Sequence, residues 1–334
     1  MKAYIYNPYN NNTVTDVYVS TVADAFVKAG YEIEKVGALI KQSKNSNATV
    51  FVVAVKDAII AKLKGYKNIY LWVQGIAPEE SYMKHNSKLR YAVLSLIERT
   101  GLACADFSFF VSNAMLEHFK KKYGYKKDNY YIMPCFNSEI DEKSFKYEGK
   151  YKNNVFLYAG GLDVWQCFEQ TAQLYKKIED AIPNTTFRVL TKDKNTAESI
   201  MKKYNILSYS IDFKPSEQVV EEMAKAKFGF SIRQEHPVNA VSTPTKLSTY
   251  ISNGVIPIYS KYVLDFHSLI KDSSFSVCVE EGLDGNIEKI KEFCLSNISA
   301  EDVLEQYKQI FGNYYSREFH INNISKRLKE ELYE

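Results

Sequence analysis

The stretch 242-STPTKLSTYISNGVIPIYS-260 holds a helix start, a helix stop and a buried strand in direct succession. Pro244 suits a first helical turn, where its missing N–H costs nothing, and Thr243 before it reads as the N-cap. Asn253-Gly254 ends the helix, and 255-VIPIYS-260 has the unbroken apolar character of a strand covered on both faces. A helix-to-strand step of this kind is the repeating unit of a parallel sheet wrapped by helices. The stretch also carries chemistry. Free amides at the start of a helix attract an anion, and Lys246 adds a positive charge at the same spot.

Working outward, short β-rich runs alternate with helical patterns along the whole chain. Strands are expected at 2-KAYIY-6, 49-TVFVVAV-55, 68-NIYLWV-73, 107-FSFFVS-112 and 130-YYIMP-134. A polar loop, 7-NPYNNNTVTD-16, leads into a helix running to Gly30, and further helices fit 86–101 and 113–124. Around 139-EIDEKSFKYEGKYKNN-154 the pattern dissolves into charge and turn formers. A second set follows, with strands at 155–161, 186–191, 208–213, 227–233, 255–260 and 275–280, and helices at 163–181, 194–204, 216–226 and 244–252. The expected fold class is α/β, with two doubly wound Rossmann-like domains facing a cleft, where the carboxyl ends of the strands bind ligands. The boundaries are 1–148 and 149–334. The last segment, 301–334, is helical with a break near Gly312-Asn313, and it could cross back to the first domain.

Composition bounds the partners. The chain has 334 residues, 46% hydrophobic and 25% charged, as in an ordinary globular protein. Its 26 Tyr and 19 Phe allow aromatic platforms for a sugar or a base, although an AT-rich genome produces the same bias. The net charge of +3 divides into +6 for residues 1–150 and −3 for the remainder. The run 118-HFKKKYGYKKDNYY-131 could meet an anionic lipid or a phosphorylated acceptor, or it could be a solvated helix end that complements the macrodipole. No nucleic-acid-binding signature accompanies it, so nucleic acid is not an expected partner. Cys104, Cys135, Cys167, Cys278 and Cys294 include no C-x-x-C, and the five His form no H-x-x-x-H pair. Reduced thiols in a cytoplasm and no metal site are expected. The opening MKAYIYNPYNN does not read as a signal peptide, and no apolar run is long enough to span a bilayer.

Two constellations in the second half point at a diphosphate. In 155-VFLYAGGLDVWQCFEQ-170, Gly160 and Gly161 let backbone approach a ligand, and the helix beyond, N-capped by Asp163, offers free amides. Trp165 and Gln166 at its opening turn are placed to face the cleft, with packing against the sheet as the plain alternative. In 227-KFGFSIRQEHPVNAVSTPTKLSTY-250, Arg233 ends a strand with a planar fork suited to phosphate or carboxylate. Arg233, Lys246 and two helix N-termini would together form a clamp.

These motifs carry a resemblance. The pattern P-T-K-x-x-x-Y-x-x-x-G-x-x-P-I, with Asn239 and an Arg-bearing strand before it, is similar to the donor half of bacterial GT-B glycosyltransferases of the retaining, family-four type. The Y-x-G-G-x-x-x-W-Q run at 158–166 resembles one subgroup, and 72-WVQGIAPEESYM-83 resembles that subgroup's acceptor-side loop. The resemblance covers most of the chain, most strongly 155–260. It implies an enzyme; the scattered thiols point to the cytoplasm, and the basic first domain leaves a peripheral contact at the inner face of the membrane open. The enzyme would move a sugar from a UDP- or GDP-sugar to a glycan or lipid-linked acceptor, with retention, in surface polysaccharide or capsule assembly. By position, Gly160, Gly161, Arg233 and Lys246 would hold the diphosphate, with the amides of Thr243, Pro244, Thr245 and Lys246 beside them. Phe213 and Lys214 would cradle the base, with Trp165, Gln166, Asn239 and Thr249 also on the donor side. Gln74, Glu79 and Glu80 would face the acceptor.

The chain departs from the family pattern at Thr249, where a ribose-binding Glu is usual, and at Val241, its usual partner position. Leu162 to Gln166 stand where an Arg and a Lys often follow the glycines. Either Arg233 and Lys246 supply the charge, or the chain is a non-catalytic or regulatory homologue. A sugar-nucleotide epimerase, a third reading, would want acid/base carboxylates or His in the donor motifs. No Asp-x-Asp motif is present, so catalysis is expected to be metal-independent, with protein cations stabilising the leaving diphosphate. In an inverting variant Glu79 or Glu80 would be the base.

Overall fold

A computed structural model describes residues 1–9, 13–43, 46–279 and 285–333. The chain divides into two compact units. One comprises Met1–Phe136, Ala240–Thr243 and Ser316–Glu334; the other comprises Asn137–Asn239 and Pro244–Tyr315.

The first unit runs β1 (Lys2–Tyr6), α1 (Thr13–Lys28), β2 (Glu32–Val36), β3 (Thr49–Val52), α2 (Val55–Leu63), β4 (Asn68–Val73), α3 (Ala77–His85), α4 (Lys88–Cys104), β5 (Phe107–Phe110), α5 (Asn113–Tyr123) and β6 (Tyr130–Ile132). Its six strands pair in parallel in the order β2-β1-β3-β4-β5-β6. All of β3 and β5, and all of β4 beyond Asn68, are buried, which is why they read as continuous apolar runs. The core is aromatic: Tyr18 stacks on Trp72 with ring centroids 3.9 Å apart, and its hydroxyl donates to the Met133 carbonyl at 3.1 Å. Three elements of this unit have no counterpart in the sequence reading. β2 (EIEKV) is a largely exposed, charged edge strand, α2 follows β3 directly, and α3 (APEESYMKH) is too polar to show a helical stripe.

The second unit runs α6 (Glu142–Phe145), β7 (Asn154–Ala159), a 3-10 turn (Val164–Gln166), α7 (Phe168–Ala181), β8 (Thr185–Leu190), α8 (Lys194–Lys203), β9 (Tyr209–Asp212), α9 (Ser216–Lys225), β10 (Phe228–Ser231), α10 (Pro237–Ala240, whose last residue falls in the first unit), α11 (Thr245–Ser252), β11 (Ile256–Ser260), α12 (Leu264–Ile270), β12 (Val277–Val279), α13 (Gly285–Leu295) and α14 (Ala300–Tyr314). Its strands are also all parallel, in the order β12-β11-β10-β7-β8-β9. The winding reverses between β7 and β10, so the carboxyl ends of these two strands flank the point where such sheets bind ligands. Of the strand expected at 275–280, Glu280 lies outside the described residues, as do 10–12 of the first polar loop.

The passage between units falls at Phe136–Asn137 rather than 148–149. The charge-rich stretch is tied into the second unit: Ser138 and Ser252 hydroxyls lie 2.8 Å apart, the Asp141 amide donates to Ser252 O at 2.8 Å, and the Tyr151 hydroxyl donates to Gly254 O at 2.8 Å. The C-terminal break falls at Tyr315–Ser316, with Gly312 inside α14. Beyond it α15 (Arg317–Tyr333) packs on α1 in the first unit, where Arg317 pairs with Asp24 and the Tyr131 hydroxyl meets His320 Nδ1 at 3.0 Å.

Helix α11 is seated by Tyr250. Its ring lies over Gly229 of β10, and its hydroxyl donates to Phe230 O at 3.1 Å. A Cβ on Gly229 would stand 2.6 Å from the ring. The Gly229→Ala variant should therefore lose about 2 kcal/mol of stability, read as a lower urea midpoint; an unchanged midpoint would mean α11 is not seated this way.

Candidate functional site

At the end of β7 the Gly160 amide still donates to Leu190 O at 3.0 Å, and the chain then turns away at φ +143°. That conformation favours glycine, and a Cβ at this position would lie 3.4 Å from Lys246 Nζ. Gly161 O accepts the Tyr158 hydroxyl at 2.6 Å, which ties the turn to the strand. Asp163 precedes the 3-10 turn but makes no side-chain cap, contrary to the sequence expectation. The turn is inserted because Cys167 adopts the left-handed conformation (φ +49°), and α7 starts only at Phe168.

Arg233 follows β10 and is 4% exposed. Its amide donates to Ser260 Oγ at 2.9 Å, and its Nη1 donates to the carbonyls of Gln166 at 3.2 Å and Ile232 at 3.1 Å. Lys246, on the first turn of α11, is withdrawn rather than mobile. Its Nζ is buried, has no hydrogen-bond partner among the described residues, and lies 4.1 Å from the centroid of the Tyr158 ring. Burial pushes the Lys246 ammonium well below its usual range, and Arg233 adds to this while Cys167 opposes it. Burial also lowers the Arg233 guanidinium, against the influence of Tyr158, Cys167 and Tyr250. Among the described residues no carboxylate forms an ion pair with either cation. Two basic groups thus share a buried site whose neighbours are tyrosines, a thiol and backbone carbonyls. Such a site suits an anion.

The other expected donor-side residues are placed as follows. Pro244, not Thr243, occupies the cap position of α11 and offers no side-chain bond. Thr243 belongs to the first unit, where its hydroxyl accepts the Cys135 amide at 3.0 Å. Thr245 O accepts the Ser248 hydroxyl at 2.9 Å. Thr249 is buried; its hydroxyl lies 2.8 Å from Thr245 O and 2.9 Å from Asn137 Oδ1. Asn239 is buried and donates to Gln234 O at 3.0 Å, bracing the loop after Arg233. Trp165 is half-buried, and the Gln166 Oε1 is buried without a partner. Phe213, 44% exposed, follows the edge strand β9 with Lys192 Nζ 5.3 Å from its ring, and Lys214 pairs with Asp212 at 3.3 Å. Tyr158 and Tyr250 lie within the sequence motifs but had no expected role, and neither did Ser260 or the Ser231 hydroxyl at the end of β10, which is buried with no partner among the described residues.

In the first unit, Gln74 is exposed and its side chain donates to Val53 O at 3.1 Å. Glu79 is buried against Lys122 at 2.8 Å and His118 at 3.3 Å, and it accepts the Tyr91 hydroxyl at 3.1 Å. Burial alone would raise its carboxyl, but His118 and Lys122 outweigh this and hold it at about 2. The Glu80 carboxylate folds over Gly75 and is raised by burial, against the Ile76 backbone. Among the described residues no group of three His, Cys, Asp or Glu is arranged to hold a metal ion.

No protein-family model and no curated protein matches the chain. Solved structures do. Sucrose-phosphate synthase from Thermosynechococcus elongatus superimposes with a TM-score of 0.73 at 10% identity, over 99% of both chains. A glycosyltransferase from Rickettsia africae gives 0.69 at 12% identity, over 99% of this chain and 98% of that one. The fold is GT-B. S. aureus TarM, solved as a mutant with fondaparinux, α-GlcNAc-glycerol and UDP, gives 0.63 at 8% identity; the match covers 86% of this chain and 56% of TarM. At such identities the GT-B likeness is one of architecture.

The Lys246 site has a stability signature. Below pH 10.5 the unfolded chain holds the Lys246 proton more readily than the folded one, so this group makes stability rise with pH. Lys246→Met should be more stable than the native chain at neutral pH, by on the order of 1 kcal/mol. Urea unfolding across the pH range should show that advantage shrinking toward pH 10.5; a destabilised variant would contradict the burial of an unpaired charge.

Proposed function

We propose that this chain is a glycosyltransferase that takes its sugar from a nucleoside diphosphate. The observation that carries the reading is the pair Arg233 and Lys246, two buried basic groups with no paired carboxylate among the described residues, at the topological switch point of the second unit. Such a site suits a diphosphate that becomes more negative as the reaction proceeds. In the proposed step the bond from the sugar's anomeric carbon to the leaving phosphate oxygen breaks, and its electron pair goes to the β-phosphate. The acceptor hydroxyl oxygen bonds to that carbon and its proton passes to the leaving phosphate, with retention. Arg233 and Lys246 bear the new charge without a metal ion. Phe213 at the end of β9 offers an exposed ring for the base, with Lys214 beside it. We place a glycan or lipid-linked acceptor, in surface polysaccharide assembly at a membrane face, on the first unit near Gln74 and Glu80. Glu79 is a poor base, because its carboxylate is held ionised by Lys122; for an inverting reaction Glu80 is the better candidate.

Thr249 favours a second reading, a nucleotide-binding homologue without turnover. Its hydroxyl is engaged inside α11, and no acid stands there for a ribose. Two measurements decide. A thermal-shift series should show stabilisation by one nucleoside diphosphate; no response to any would overturn both readings. Arg233→Ala and Lys246→Ala should each lower transfer by about a hundredfold or more with the fold intact. Full activity in both would sink the clamp, and nucleotide binding with no transfer by the native chain would favour the second reading.

A further inference from the structure

The hairpin of α3 and α4 in the first unit carries a surface that the transfer site does not use. One face of α4 is buried, through Glu98, Gly101 and Leu102. Gly101 lets it close on α2, since a Cβ there would stand 2.3 Å from the Val55 carbonyl. The opposite face is apolar and open: Leu89 is 76%, Val93 50% and Leu96 67% exposed. At about 100° per residue these three fall within a narrow arc, and Ala92, Thr100 and Ala103 extend the stripe. The Thr100 hydroxyl does not break it, because it donates to Leu96 O at 2.7 Å within the helix.

The charge at the edges has one sign. Helical spacing puts Lys88 and Arg99 along one side of the stripe and Arg90 along the other, all exposed. Glu98, the one carboxylate of α4, is 1% exposed and faces inward to Lys122 and the Tyr123 hydroxyl. The lysine-rich run 118–131 is less free than its sequence suggests. Lys122 is consumed by Glu79 and Glu98, Lys120 pairs with Glu117, and Lys127 caps α4 through Leu102 O and Ala103 O at 3.1 and 2.8 Å.

We propose that the exposed face of α4 docks onto an anionic lipid bilayer, with Leu89, Val93 and Leu96 entering the headgroup boundary and Lys88, Arg90 and Arg99 meeting lipid phosphates. An apolar stripe rimmed by cations is the pattern of an interfacial helix. A second copy of the chain is the less suitable occupant, because a two-fold contact would bring these cations face to face. No helix among the described residues is long and apolar enough to cross a membrane, so the contact is peripheral. The proposal deepens the lipid-linked reading above by naming the surface. Its test reads binding alone, so its failure is distinct from failure of the transfer reading.

The test is co-sedimentation of the full chain with vesicles of one part phosphatidylglycerol to two parts phosphatidylcholine, and with pure phosphatidylcholine. The chain should partition onto the anionic vesicles and not onto the neutral ones. The double variants Leu89→Ser/Leu96→Ser and Lys88→Glu/Arg99→Glu should each lower that partition about tenfold or more, with unchanged melting and unchanged nucleotide response. No binding to anionic vesicles, or equal binding by the serine variant, overturns the proposal. So does a native dimer in sedimentation equilibrium that the serine variant dissociates, since the occupant is then a second copy.

Discussion

The second unit is organised around two basic groups, Arg233 and Lys246, that have been brought out of water with no carboxylate paired to either among the described residues. Lys246 Nζ rests on the Tyr158 ring, and the Arg233 guanidinium donates to the Gln166 and Ile232 carbonyls. In an apolar site an unpaired ammonium is expensive, and two adjacent cations are more so. Such an arrangement persists only where surrounding contacts enforce it.

The enforcing contacts run outward from the pair. Tyr250, one turn beyond Lys246, seats α11 on the sheet through Gly229 and the Phe230 carbonyl. Gly254 ends the helix at φ +70°, where a Cβ would strike Phe145 and the Tyr151 hydroxyl. Gly160 leaves room for the lysine end, and Ser260 of β11 fixes the Arg233 backbone. The sheet order supplies the rest: β7 and β10 are neighbours whose following segments go opposite ways, so Gly160 and Arg233 come to one edge from distant parts of the chain.

Much of this was legible in sequence, for physical reasons. Strands buried on both faces leave unbroken apolar runs, so β4, β7, β10 and β11 could be read within a residue or two. Pro244, Lys246, Tyr250 and Gly254 announced α11 through turn chemistry and spacing. The misses have their own causes. β2 is a charged edge strand, so its residues do not alternate cleanly. Asp163 looked like a helix cap because nothing in the sequence marks Cys167 as left-handed. Lys246 was legible as a charge at the start of α11 but not as a buried one, because its burial depends on Tyr158, 88 positions away in the chain. Thr243 looked like a cap, but its hydroxyl goes to the Cys135 amide, a tertiary partner that local spacing cannot reveal. Glu79 was expected to face an acceptor, and its pairing with Lys122 of α5 is a tertiary contact that local spacing does not show.

The most direct test of the central claim is proton uptake on ligand binding. A bound diphosphate would restore the charged form of Lys246, whose ammonium burial and Arg233 disfavour. At about pH 8 a terminal phosphate has already lost its second proton, so the ligand contributes none of its own. Isothermal titration of a nucleoside diphosphate should then be carried out in two buffers of different ionisation enthalpy. The account predicts that the apparent binding enthalpies differ in the direction of protons taken up by the complex. Equal enthalpies in the two buffers, with binding intact, would contradict it.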